Sequence, residues 1–177
     1  MERDETPTVE TAQMDVEVHY RHAYLLDEDD DCYPDGMLDD SPAHPVGIIR
    51  VEKGIAFLIT GLHTGTVSFT VAVADQDPGA DLEGYEDIVE ISFESPSGYI
   101  SLYESGGAGV HGIPSLSAGP GTYRFRYHAR GMDAAREKNF SDVVIDHYFL
   151  QIWPALHSDP VVLKSTSSYF RYWLSAG

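Results

Sequence analysis

Polar and apolar residues alternate along much of this chain. Val16, Val18 and Tyr20 stand against Asp15, Glu17 and His19, and Val67, Phe69, Val71 and Val73 line one face of Thr66 to Ala74. Val89, Ile91 and Phe93 continue the pattern, and Thr122 to Arg130 is its clearest instance. Period-two alternation marks half-buried strands. Short apolar runs at Ile48 to Val51, Gly54 to Thr60 and Tyr99 to Tyr103 predict further strands, and Tyr169 to Leu174 predicts a last one. Asp142 to Trp153 is apolar on both faces, as a central strand would be. Only Met132 to Lys138 suggests a helix, of one or two turns. Eight or nine strands at short spacing, with at most one short helix near 132–138, predict an all-β fold: an antiparallel β-sandwich or a jelly-roll-like pair of sheets. Residues 1–13 are polar and read as a flexible N-terminal segment, with residues 14–177 as a single β-sandwich domain.

Charge divides the chain unevenly. Of 29 acidic and 11 basic residues, residues 1–104 hold 24 acids and 4 bases, a formal balance of −20. The remainder is at +2, so the net −18 belongs to the first part. Two loops concentrate it. The first holds Asp27, Glu28, Asp29, Asp30, Asp31, Asp35, Asp39 and Asp40; the second holds Asp75, Asp77, Asp81, Glu83, Glu86 and Asp87. Such a balance disfavours direct binding to nucleic acid or anionic membranes, because phosphate contacts need Lys and Arg. It suits a basic protein partner, a cation or solubility. The single Cys32 forbids an intrachain disulfide, no signal-like segment opens the sequence, and no apolar run approaches the roughly 20 residues that span a bilayer. The expected location is cytoplasmic.

Neither loop has good calcium-ligand spacing. The first lacks the alternating Asp-x-Asp-x-Asp-Gly order, and in the second Ala80 stands where an EF-hand loop wants glycine. Calcium therefore stays a minor alternative to no cofactor, and no metal ligands are assigned. On Thr122–Arg130, Arg124, Arg126, His128 and Arg130 share one face, and Tyr123, Phe125, Tyr127 and Ala129 the other. Adjacent like charges on one strand face repel, so neighbouring carboxylates should compensate them. The alternative is an anion-binding or catalytic face, since arginine suits bidentate recognition. His19 and His22, three apart on a predicted strand, should point to opposite faces. Ser115 and Ser117 lie near His111 with nothing to mark a nucleophile, and Cys32 amid carboxylates should be a poor one. No catalytic residue is assigned, so a binder is expected rather than an enzyme.

Two segments carry a resemblance. The Gly-x-Tyr-Arg-x-Arg-x-His-Ala-Arg-Gly stretch at 121–131, followed by Tyr148-Phe149-Leu150-Gln151-Ile152-Trp153-Pro154-Ala155, resembles a group of uncharacterised, largely actinobacterial β-rich proteins. It implies a β-sandwich and no known catalytic residues. In layout alone (an early aromatic strand, an acidic middle and a late Gly-x-Tyr strand) the chain is similar to the competence protein J family, small β proteins that inhibit a partner nuclease. No inhibitory motif carries over residue by residue. The expectation is a non-enzymatic acidic binding protein, of inhibitor or immunity type, that docks a basic partner such as a nuclease or toxin through its acidic loops. The alternatives are a small-ligand-binding or catalytic β-sandwich using the Arg/His face, or a calcium-binding β module.

Overall fold

The computed structural model describes residues 6–28, 46–105 and 109–175. The alternating segments form strands β1 (Val9–Val18), β2 (His22–Asp27), β3 (Ile49–Glu52), β4 (Ile55–Ile59), β5 (Thr64–Ala74), β6 (Asp87–Ser95), β7 (Ile100–Glu104), β8 (Val110–Gly112), β9 (Gly121–Arg130), β10 (Phe140–Ser141), β11 (His147–Pro154) and β12 (Val161–Lys164). Helix α1 (Met132–Lys138) and helix α2 (Ser168–Ser175) complete the described elements.

Two sheets face each other. One runs β1-β5-β11-β9-β6-β12, with β10 also on β5; the other runs β3-β4-β2-β7-β8. Between them lies one core: Phe69, Phe93, Phe125, Tyr127, Tyr148 and Leu150 from the larger sheet meet Ala23, Leu25, Leu58 and Leu102 from the smaller. The all-β sandwich expected from the alternation is the fold.

Several details differ from the expectation. β1 begins at Val9, where Val9 faces Ala74 and Thr8 N–H donates to Asp75 at 2.9 Å, so residues 9–13 are strand and not a flexible segment. The C-terminal aromatic run is helix α2, not a strand. Tyr169, Phe170, Trp173 and Leu174 recur at helical spacing, and Ser167 Oγ accepts from Phe170 N–H at 3.1 Å as an N-cap. His19 and His22 do not lie on one strand. They face each other across a two-residue turn whose Tyr20 and Arg21 both have positive φ, 56° and 65°. Gly61 admits α1 closely, since a Cβ there would lie 2.4 Å from the Met132 carbonyl oxygen.

The larger sheet is mixed. β11 runs parallel to β5 but antiparallel to β9, and β9 is antiparallel to β6. Hence β5 and β6 point the same way with two strands between them. Parallel strands need a crossover of about a dozen residues. Here residues 75–86, most of the second acidic loop, make that crossover. Among the described residues, no helix is long and apolar enough to cross a membrane.

Candidate functional site

The crossover lies over the outward face of β9 and β11, so it covers the Arg/His face. Arg126 is almost fully buried. Its Nε donates to Glu90 at 2.9 Å, and its Nη1 donates to Asp77 at 2.9 Å and to Gln151 Oε1 at 2.7 Å. The Trp153 ring lies 4.5 Å from its guanidinium carbon. Burial works against the charge on Arg126, but Asp77 and Glu90 outweigh it and hold its pKa above the ordinary value. Conversely, the Arg126 hydrogen bonds hold the Asp77 carboxyl below the usual carboxylate range. Arg124 donates to Glu90 at 3.2 Å, to Ser92 Oγ at 3.1 Å, and to the carbonyls of Ser158 and Asp159 at 3.0 and 2.8 Å. Arg130 lies over the Tyr85 ring at 5.3 Å.

His128 completes the seal. Its Nδ1 lies 3.0 Å from the Phe149 carbonyl, which can only accept, and its Nε2 lies 3.1 Å from the Asp81 N–H, which can only donate. Those partners select the neutral tautomer with the proton on Nδ1. Burial, reinforced by the charge on Arg126, pushes its pKa down to about 4 despite the Phe149 bond, which raises it. A neutral, fully engaged imidazole under a loop is no general base for an outside substrate. Three of the four residues of the alternative ligand face are therefore occupied from within, and Arg130 is exposed. Arg124, Arg126 and His128 are buried by the chain itself, and Arg130 sits against Tyr85.

The same geometry redistributes the predicted partner-binding residues. Asp87, offered as a surface contact, is fully buried. It accepts from Thr166 N–H at 2.8 Å, Ser167 N–H at 3.0 Å and Ser167 Oγ at 2.6 Å, and so fixes the cap of α2. Glu86 accepts from Gly131 N–H at 2.7 Å. Asp27 is 2 % exposed and accepts from Ser95 Oγ at 2.5 Å and Ser97 N–H at 3.3 Å, so it too is internal. Glu28, Asp75, Asp77, Asp81 and Glu83 are exposed at the surface. Asp29, Asp30, Asp31, Asp35, Asp39 and Asp40, with Cys32, lie outside the described residues. Among the described residues, no group of three or more His, Cys, Asp or Glu side chains could hold a metal ion. Asp77 and Asp81 instead accept from nearby backbone N–H groups, Gly79 at 2.8 Å and Gly84 at 2.9 Å. Ser117 donates to the Ala74 carbonyl at 3.0 Å and His111 pairs with Glu104 at 3.0 Å, so these two do not form a nucleophile–base pair.

The β1–β2 turn holds an unusual pair of residues. A type I′ turn wants Gly or Asn at both central positions, yet Tyr20 and Arg21 occupy them at a cost of roughly 1–3 kcal/mol each. The backbone is clamped there: Arg21 N–H donates to the His63 carbonyl at 3.0 Å, and the Arg21 carbonyl accepts from Thr60 N–H at 2.9 Å. With Arg50, Phe57, Ile59 and Trp173, the two turn residues line a cavity of about 80 Å³. Tyr-Arg in a turn carries no recognised signal in sequence.

No protein-family model and no curated protein matches the chain. Two solved structures share its fold. One is ComJ from Bacillus subtilis, an inhibitor of the DNA-degrading activity of NucA; the other is the product of crocagin biosynthetic gene J. Each has 12% sequence identity and a TM-score of 0.55, covering 84% of this chain and 99% of the other. The layout similarity to the competence protein J family therefore extends to the three-dimensional fold.

Proposed function

We propose that this protein is an acidic binding module of the inhibitor type, which docks a basic protein partner such as a nuclease. The observation that carries this reading is the use the fold makes of its cations. Arg124 and Arg126 are buried against the chain's own carboxylate and carbonyl groups, so they neutralise little of the surface facing a partner. The exposed carboxylates of Asp81 and Glu83 then share the outside with a chain at −18. The common fold with an inhibitor of a DNA-degrading enzyme supports the same reading. The primary contact surface is the first acid run, Glu28, Asp29, Asp30, Asp31, Asp35, Asp39 and Asp40, with Asp81 and Glu83 as the second. Carboxylates there imitate the phosphates that a nuclease groove recognises, and electrostatic steering speeds association.

The test is DNA degradation by purified basic nucleases with and without this protein, at low and high salt. Inhibition at low salt that salt relieves, and that charge reversal of Asp29, Asp30 and Asp31 abolishes, is expected. Inhibition unaffected by that charge reversal, or no retention of any basic protein at low salt, removes the proposal.

A further inference from the structure

Among the described residues, β1 and β12 end the larger sheet, and β3 and β8 end the smaller. An edge strand presents a row of backbone groups with which another chain can pair, and folds blunt such edges by shortness, proline or a bulge. β3 has four residues and β8 three. β12, of four, follows Pro160 and shifts register between Val162 and Lys164. β1 has none of these devices. It runs ten residues without proline, in unbroken register along β5. Two contacts fix which way its backbone groups point. Asp75 N–H donates to the Thr8 carbonyl at 3.2 Å, so the even positions turn toward β5. Glu17 N–H donates at 2.9 Å to the carboxylate of Glu104, on β7 of the other sheet, so the odd positions turn away. Strands repeat every two residues, and in an antiparallel pair both backbone groups of a residue point to the same side. The N–H and carbonyl groups of Thr11, Gln13 and Asp15 therefore face outward, about 7 Å apart along the strand. None of these groups has a hydrogen-bond partner among the described residues. Glu104 and Ser105 close only the Glu17–His19 end of the edge.

We infer that residues 9–15 form a docking edge, which takes up an extended segment of a basic partner as an added β-strand. Strand addition draws affinity from main-chain hydrogen bonds and specificity from alternate side chains. The side chains of β1 sort by face. Thr11, Gln13 and Asp15 are exposed on one, while Ala12 and Met14 are half-buried on the other, with Met14 packed against the core. An added strand thus meets a polar row ending in an acid on one face and an apolar row on the other. Lys or Arg alternating with apolar residues fits both rows. Charge chooses the occupant. β1 carries Glu10, Asp15 and Glu17 and no base. A second copy of β1 would double those acids along one seam with no cation to answer them, whereas a basic strand is attracted. The inference rests on the proposed function only for the sign of the partner's charge. The edge itself is separate from the first acid run, which follows β2 of the other sheet.

The experiment is amide hydrogen exchange by NMR on the whole protein, with a capped Lys-Val-Lys-Val-Lys-Val-Lys peptide as the probe. At saturating peptide, exchange at Thr11, Gln13 and Asp15 should slow about tenfold or more, with the β12 amides unchanged. Gln13→Pro removes an outward N–H and no bond to β5, a place where an edge strand tolerates proline. It should raise the peptide concentration for half-saturation about tenfold. Unmoved β11 amide signals show that this variant has folded. Should it not fold, the wild-type protein is tested with the peptide whose valines are replaced by proline, which keeps the charge but cannot form a ladder; no slowing is expected. The assignment is overturned by unchanged exchange at the three amides, equal slowing with the proline peptide, or an unaltered titration in folded Gln13→Pro. Slowing of the same amides with rising protein concentration and no peptide would make a second copy the occupant and overturns it too. The nuclease test is independent of all these outcomes, because peptide and variant leave Asp29, Asp30 and Asp31 in place.

Discussion

Arg126 and Arg21 occupy opposite situations in one molecule. Arg126 belongs to the most conspicuous charge pattern in the chain, yet Asp77, Glu90 and Gln151 use its donors and the crossover closes over it. Arg21 belongs to no pattern, yet its Nε is buried without an acceptor among the described residues and it borders a cavity. The difference lies in what the fold supplies to each side chain. In an acidic protein, a row of arginines on a strand attracts the chain's own carboxylates first. A single arginine in a tight turn is held there by its backbone, whose N–H and carbonyl are both engaged.

That contrast can be tested from both sides, and the largest effect should come from the sealed site. Arg126→Ala leaves Glu90 and Asp77 without their cation and Gln151 without its donor. Breaking a buried pair by removing one partner should lower the unfolding free energy by about 3–5 kcal/mol in a denaturant titration. A loss below about 1 kcal/mol would mean that the seal is ornamental and that the Arg/His face is open to ligands. Next is Asp87→Ala, which leaves three donors around the α2 cap without their acceptor. A loss of about 3 kcal/mol, with α2 losing its amide-exchange protection before the core, is expected.

The sealed imidazole gives a pH signature. The folded-state pKa of His128 is depressed to about 4, so the fold prefers the neutral ring. Its contribution is fully present above the unfolded value near 6.5 and is lost as the pH falls from there through about 4. The loss should be on the order of 2–3 kcal/mol, seen as a steeper acid-side fall in wild type than in His128→Asn. Parallel curves would show that Asp81 N–H does not hold this ring neutral. The smallest effect on stability belongs to the exposed part of the crossover. Glu83→Lys should change it by less than about 0.5 kcal/mol, while weakening low-salt association with a basic partner.

The sequence made the sheet residues legible and the connections less so. Alternation at Thr66–Ala74 and Thr122–Arg130 marks two strands of the larger sheet because each turns an apolar face to the core, although the polar face of β9 is buried as well, beneath the crossover. The doubly apolar stretch ending at Trp153 gave central β11, because a crossover covers its second face. The alternation of β1 is legible only from Met14 because its first residues, Val9 to Gln13, lie on an edge strand and bury little. Helix α2 resembles a strand in sequence because four aromatic residues in six mimic strand composition, although Tyr169, Phe170, Trp173 and Leu174 recur at helical spacing. Asp27 and Asp87 are indistinguishable from surface acids in the sequence, because one-dimensional charge density does not separate a solvated carboxylate from a buried one that accepts two or three hydrogen bonds.

What the sequence determined by itself is the β-sandwich and the separation of charge, because period-two burial and composition are properties of the chain alone. It also required that the four-residue Arg/His face find compensation, since like charges on one strand face repel wherever the strand lies. Which carboxylates answer was decided by tertiary structure. The parallel relation of β5 and β6 forces residues 75–86 across the sheet, and that crossing lays Asp77 and Asp81 over Arg126 and His128. The cavity at Arg21 likewise exists only where a turn, a hairpin and α2 meet, from residues as distant in the chain as Tyr20 and Trp173. Contacts between remote segments depend on how strands are ordered, and no local pattern of side chains encodes that order.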